Sequence, residues 1–175
     1  LPIENFNSYN PTSEDVAFCL YTSGSTGLPN GIEISHKAHA WILEQKLAGM
    51  RGNPKFSESI SLLSAPLYHM NGLHTLSLFF ANHNTCVLLP TFKVDTFAFA
   101  LEKYKIALIS VVPSMLSLLF KYVEGSCRFD FSNVTSIFLA SAPVSENLLN
   151  EIHRHFTNPQ LSITNQYGIS EVGPG

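Results

Sequence analysis

Six short apolar runs alternate with five helix-patterned segments along this chain, and that succession constrains the fold more than any other feature. The runs are Val16–Tyr21, Ile60–Ala65, Thr85–Leu89, Ala107–Val112, Ser136–Ala140 and Leu161–Thr164. Most are continuous rather than alternating, the pattern of strands covered on both faces. Between them, His36–Met50 spaces Ala40, Leu43, Leu47 and Met50 as a helix does, with Ser35 as N-cap. Leu73–Ala81, Val94–Tyr104, Pro113–Val123 and Ser145–Phe156 read as further helices, Pro113 suiting a first turn and Ser145 an N-cap. Strand and helix in succession predict an α/β fold, a mostly parallel sheet with helices on both faces.

Charged residues make up 13% of the 175 residues against 45% hydrophobic, so the chain buries much of itself or packs against further protein. A net charge of -3 offers no basic footprint for nucleic acid. No N-terminal signal pattern appears, and no apolar run reaches the roughly 18 residues of a membrane span. Cys19, Cys86 and Cys127 are odd in number and lack metal-ligand spacing, which predicts reduced, buried thiols in a cytoplasmic protein. His153 and His155 point to different helix faces, and His36 and His39 have no partner placed to complete a zinc set.

Ligands of open parallel sheets gather where loops leave the carboxyl ends of strands. Four segments are expected there: the run after Val16–Tyr21, then Pro66–Leu73, Ser141–Val144 and Tyr167–Glu171. The first, Tyr21-Thr22-Ser23-Gly24-Ser25-Thr26-Gly27-Leu28-Pro29-Asn30-Gly31-Ile32, crowds hydroxyls and glycines behind a strand. Glycines let backbone approach a ligand closely, and free amides and hydroxyls supply donors suited to polyphosphate oxygens. It is not a Walker loop, a Gly-x-Gly-x-x-Gly fingerprint or a Gly-x-Ser-x-Gly elbow.

Taken whole, the run closely resembles the signature of the adenylate-forming (AMP-binding) superfamily, which includes acyl-CoA synthetases, adenylation domains and luciferases. That signature reads Tyr-Thr-Ser-Gly-Ser/Thr-Thr-Gly-x-Pro-Lys-Gly. Tyr167-Gly168-Ile169-Ser170-Glu171 is similar to the family's Tyr-Gly-x-Thr-Glu, and Ala140-Ser141-Ala142-Pro143-Val144 to its Gly-Gly-Ala-Pro-Leu. Pro66-Leu67-Tyr68-His69-Met70-Asn71-Gly72 is similar to its Pro-Leu-Phe-His segment, and all four stand in family order.

The resemblance implies activation of a carboxylate by ATP to an acyl-adenylate, followed by transfer to a thiol, usually coenzyme A. On it, Thr22, Ser23, Gly24, Ser25, Thr26 and Gly27 would cradle the β- and γ-phosphates, with Asn30 at the end of the loop. Glu171, helped by Thr22, would hold Mg²⁺, and Ser170 would reach the α-phosphate. Tyr167 would lie along the adenine, with backbone from Ser141, Ala142 and Pro143 at its edge and Asn165, Gln166 and Gly168 beside it. His69 would stand between the acyl pocket and the thiol entry.

The chain departs from the pattern in two ways. Asn30 replaces the family's lysine, which removes a cation near the leaving pyrophosphate. Missing too are the Thr-Gly-Asp turn and the mobile C-terminal domain with its catalytic lysine. The resemblance therefore implies a partial N-terminal AMP-binding domain over 1–175, with phosphate loop 21–32 and the Tyr-Gly-x-Ser-Glu motif at 167–171, that completes neither half-reaction alone. Faces normally covered by the missing parts would favour self-association. No Asp or Glu lies between Leu67 and Leu89, where amino-acid-activating relatives grip an ammonium. The segment instead looks like that of acyl- or aryl-CoA ligases, with a fatty or aromatic acid as substrate. Adenylation for a carrier protein, or a non-catalytic relative acting as a binding module, are the competing readings.

Overall fold

The computed structural model describes residues 10–22, 28–50, 56, 59–125, 129–169 and 173–174. Strand β1 (Val16–Thr22) pairs antiparallel with β2 (Asn30–Ser35), and helix α1 (His36–Met50) follows at once. The remainder alternates: β3 (Ile60–Leu63), α2 (Met70–Ala81), β4 (Thr85–Leu88), α3 (Val94–Lys103), β5 (Leu108–Val111), α4 (Pro113–Glu124), β6 (Ser136–Ala140), α5 (Glu146–His155) and β7 (Ser162–Gln166). Five of these strands form one parallel sheet in the order β4-β3-β5-β6-β7, and a small antiparallel pair, β8 (Gly168–Ile169) with β9 (Gly173–Pro174), comes last. The expected α/β sheet is present.

One expectation is corrected. The first apolar run does not join the parallel sheet. It forms a separate hairpin with Asn30–Ser35, a strand the apolar-run criterion passes over. Its burial explains why: Cys19 and Tyr21 face solvent while Leu20 is buried, so the hairpin has one wet face. Cys19 is thus exposed and Cys86 only half-buried, against the expectation of buried thiols, and Cys127 lies outside the described residues.

The register of the sheet separates two unlike faces, because paired residues in a parallel ladder share a side. Val87, Leu62, Ile109, Ile137 and Ile163 align on one face. Against it α3, α4 and α5 bury Phe97, Leu101, Leu116, Leu119, Leu148 and Ile152, the main core. The opposite face aligns Cys86, Ser61, Leu108, Ser136 and Ser162 in one row and Leu63, Ser110, Phe138 and Thr164 in the next. Helix α2 covers this side, its Thr75 hydroxyl 3.5 Å from that of Ser110. Helices start where their caps dictate. The Ala38 amide donates to Ser35 Oγ and the Leu148 amide to Ser145 Oγ, each at 3.2 Å, and Pro113 opens α4.

Candidate nucleotide site

Three of the four segments expected at the carboxyl ends of sheet strands lie there: the turn after β3, the turn after β6 and the exit of β7. The fourth connects β1 to β2 in the hairpin instead. Ser23, Gly24, Ser25, Thr26 and Gly27, together with Ser170 and Glu171, lie outside the described residues. The flanks of the loop are described. Thr22 and Asn30 are direct cross-strand partners, so their side chains emerge on one face of the hairpin at the root of the loop. Lys37, the nearest lysine along the chain, is engaged elsewhere, its Nζ 3.0 Å from Glu14 Oε1.

Strands β6 and β7 are adjacent, with Leu139 opposite Asn165 and Ala140 opposite Gln166. Their exits therefore enclose one cavity of about 390 Å³, lined by Ser141, Ala142, Pro143, Asn165, Gln166, Tyr167 and Gly168. The volume falls within the roughly 300–1,000 Å³ of small-molecule sites. Tyr167 is 82% exposed, so its ring is available to a ligand rather than committed to the core. Ser141 holds a positive φ of 68° at the rim. The residue before a proline is confined to extended backbone, so Ser141 must make the reversal that Ala142 cannot.

His69 is the N-cap position of α2, with extended backbone and no side-chain capping bond, and its ring packs 4.5 Å from that of Tyr68. Both side chains are exposed. Since β3 stands two strands from β6, at about 4.8 Å per spacing, His69 sits on the order of 10 Å along the rim from the cavity. Gly72 fixes how closely α2 meets the β3 exit: a Cβ there would come within 2.2 Å of the Pro66 carbonyl oxygen. Helix α2 also touches β9, so the end of the Tyr-Gly-x-Ser-Glu hairpin returns toward the helix that His69 begins.

Contacts through α1 tie the β1–β2 hairpin to α2. Phe18 of β1 meets His39 edge-on at 4.9 Å, and His39 in turn meets His74 of α2 at 6.0 Å. His74 is 5% exposed, and among the described residues neither ring nitrogen has a hydrogen-bond partner. Burial, reinforced by Lys46 and His39, pushes its pKa down to about 4, so it is neutral at pH 7. Nothing in the sequence beyond a histidine amid apolar helix residues signals this. The described residues also bring Glu124, Glu151 and His155 within 4.8 Å of one another. Arg154 donates to both carboxylates, so a cation already balances that cluster.

A parallel α/β sheet with a cavity at the exits of neighbouring strands defines an open α/β fold with a ligand-sized space where such folds bind their ligands. The family model of AMP-binding enzymes matches residues 4–175, and the chain belongs to that family. It is 29% identical over 163 residues to 4-coumarate-CoA ligase 1 of Narcissus pseudonarcissus, covering 92% of this chain and 29% of that protein. A long-chain-fatty-acid-CoA ligase (FadD1) from Archaeoglobus fulgidus superposes with a TM-score of 0.77 at 28% identity, over 92% of this chain and 33% of that one. The o-succinylbenzoate coenzyme A synthetase of Bacillus subtilis, in complex with ATP and magnesium, has the same fold, with a TM-score of 0.73 at 24% identity over 91% of this chain and 31% of that one. The chain thus spans about 30% of the length of the curated relatives it matches.

Proposed function

We propose that the whole protein activates a carboxylic acid, fatty or aromatic, by attack on the α-phosphate of ATP, and transfers the acyl group from the resulting acyl-adenylate to coenzyme A. The observation that carries this reading is the single cavity shared by Ser141–Pro143 and Asn165–Gly168, two motifs far apart in sequence. Its size and exposed tyrosine suit a purine nucleoside, which Tyr167 would stack and the neighbouring polar groups would meet at its edge. Displacement at phosphorus depends on positioned charge stabilisation more than on a protein nucleophile. Thr22 and the loop to Gly27 would bind the β- and γ-phosphates, and Ser170 would meet the α-phosphate. Glu171 and Thr22 would hold Mg²⁺, whose oxygen-ligand preference they satisfy. His69, farther along the rim, would face the acyl and thiol end. This chain alone would complete neither half-reaction.

Named relatives act on an aromatic and a long-chain acid, and the segment from Leu67 to Leu89 carries no carboxylate to hold an ammonium. Asn30, uncharged at the root of the loop, favours one second reading, a relative that binds without turnover. ATP–pyrophosphate exchange by the whole protein, with a panel of fatty and aromatic acids, decides between them. Exchange with at least one acid is expected. A folded protein that exchanges with none is a binding module. Offering a phosphopantetheinylated carrier in place of coenzyme A then identifies the acceptor.

A further inference from the structure

Helices α3 and α4 each bury one stripe against the sheet, and the stripes that look away from it carry large apolar side chains among charged ones. On α3, Phe97, Ala98 and Leu101 are sealed while Phe99 stands 52% exposed; on α4, Leu116 and Leu119 are sealed while Leu118 stands 53% exposed. Tyr104, the C-cap of α3, is exposed as well. The Lys103 ammonium joins the two rings, 5.1 Å from the centroid of Phe99 and 5.2 Å from that of Tyr104. Because α3 and α4 pack together on one side of the sheet, their outer stripes face the same way. Lys93, Lys103, Lys105 and Lys121 are all exposed, so residues 93–124 hold four of the ten basic residues of a chain whose net charge is -3. The three carboxylates among them are engaged locally. Asp95 accepts from the Thr96 amide and hydroxyl, Glu102 from the Asp130 amide at 2.9 Å, and Glu124 from Arg154.

Single large apolar side chains set among lysines suit a lipid surface, where rings and branched chains enter the headgroup boundary and ammonium groups meet phosphate. We propose that the outer face of α3 and α4 docks the protein on an anionic membrane surface. Phe99, Tyr104 and Leu118 enter the boundary, and Lys103, Lys105 and Lys121 meet lipid phosphates. Lysine stems fit this role, since they lie along apolar surface while the ammonium stays in water. A stable protein partner would cover roughly 800 Å² per side and keep charge out of its centre, whereas Lys103 stands between the two rings. The inference goes beyond the ligase reading and does not depend on it.

Co-sedimentation of the whole protein with vesicles of phosphatidylcholine, pure or mixed equally with phosphatidylglycerol, tests it, with thermal melting as the folding control. The parent is expected on the mixed vesicles, released by high salt, and far less on the pure ones. Lys103→Gln with Lys121→Gln should weaken that binding roughly 25-fold, about fivefold for each lysine lost. Phe99→Ser with Leu118→Ser should weaken it too and leave the melting temperature near the parent's, since both side chains are already half exposed. A folded parent that stays off the mixed vesicles overturns the inference, as does parental binding in the lysine variant. Binding to soluble polyglutamate as tight as to lipid overturns it in favour of an acidic polymer. A lipid-free dimer, seen by sedimentation velocity and dissolved by Phe99→Ser with Leu118→Ser, overturns it in favour of a second copy.

Discussion

On one side of the five-stranded sheet, α3, α4 and α5 seal Leu62, Ile109, Ile137 and Leu139 at 0% exposure against one another. On the other, α2 lies over a face that carries Ser61, Ser110 and Ser136, and holds His74 with both ring nitrogens unpartnered among the described residues. The β1–β2 hairpin reaches that second side through α1, by the contacts of Phe18, His39 and His74. The candidate base cavity therefore grows out of strands with a deep apolar anchor. The β1–β2 hairpin stands on an assembly with less apolar burial and more unsatisfied polarity. Local stability within a fold follows buried apolar contact, so the two regions should open at different free energies.

The largest effect that sharpens this contrast is a truncation on the sealed side. Ile137→Ala should lower unfolding free energy by about 3 kcal/mol, the transfer and cavity terms together, in urea titration. Trp41→Ala on α1, 61% exposed, should change it by less than about 0.5 kcal/mol. Comparable losses at the two positions would break the contrast.

Acid should undo the α2 side. His74 has a folded-state pKa near 4, below the ordinary value of 6.5, because its imidazolium would be buried beside Lys46 and His39. The unfolded chain binds that proton more readily, so the stability His74 confers is full above pH 6.5 and is lost progressively as pH falls toward 4. The loss reaches up to about 3 kcal/mol. His74→Leu should flatten this slope while changing stability at pH 7 little. A parental acid slope in that variant would assign the sensitivity to other groups.

The strands of the sealed core are legible in the sequence because they are buried on both faces and so written as unbroken apolar runs. The same criterion misplaces Val16–Tyr21, whose cysteine and tyrosine are apolar by type yet point to solvent, and it passes over Asn30–Ser35. In that strand Ile32 and Ile34 are the apolar residues that turn inward, a two-residue alternation too brief to stand out beside the helix that follows. The cavity residues are legible because each motif follows a strand, and neighbouring strands bring consecutive exits together. Pairing and backbone geometry are not written there. That Thr22 faces Asn30, or that Ser141 adopts a left-handed turn, depends on the register of whole strands and on Pro143 downstream.

A smaller effect, on binding rather than folding, tests whether the hairpin and the sheet hold opposite ends of one nucleotide. Asn30→Lys places an ammonium beside Thr22, where a charge-assisted contact to phosphate oxygen exceeds a neutral one by about 1 kcal/mol. ATP should bind the whole protein roughly fivefold tighter, less so at high salt, since an exposed pair is screened. AMP, which lacks the β- and γ-phosphates, should bind unchanged. If Asn30→Lys tightens AMP as much as ATP, the hairpin does not serve the pyrophosphate end, and the division of labour between the two regions is wrong.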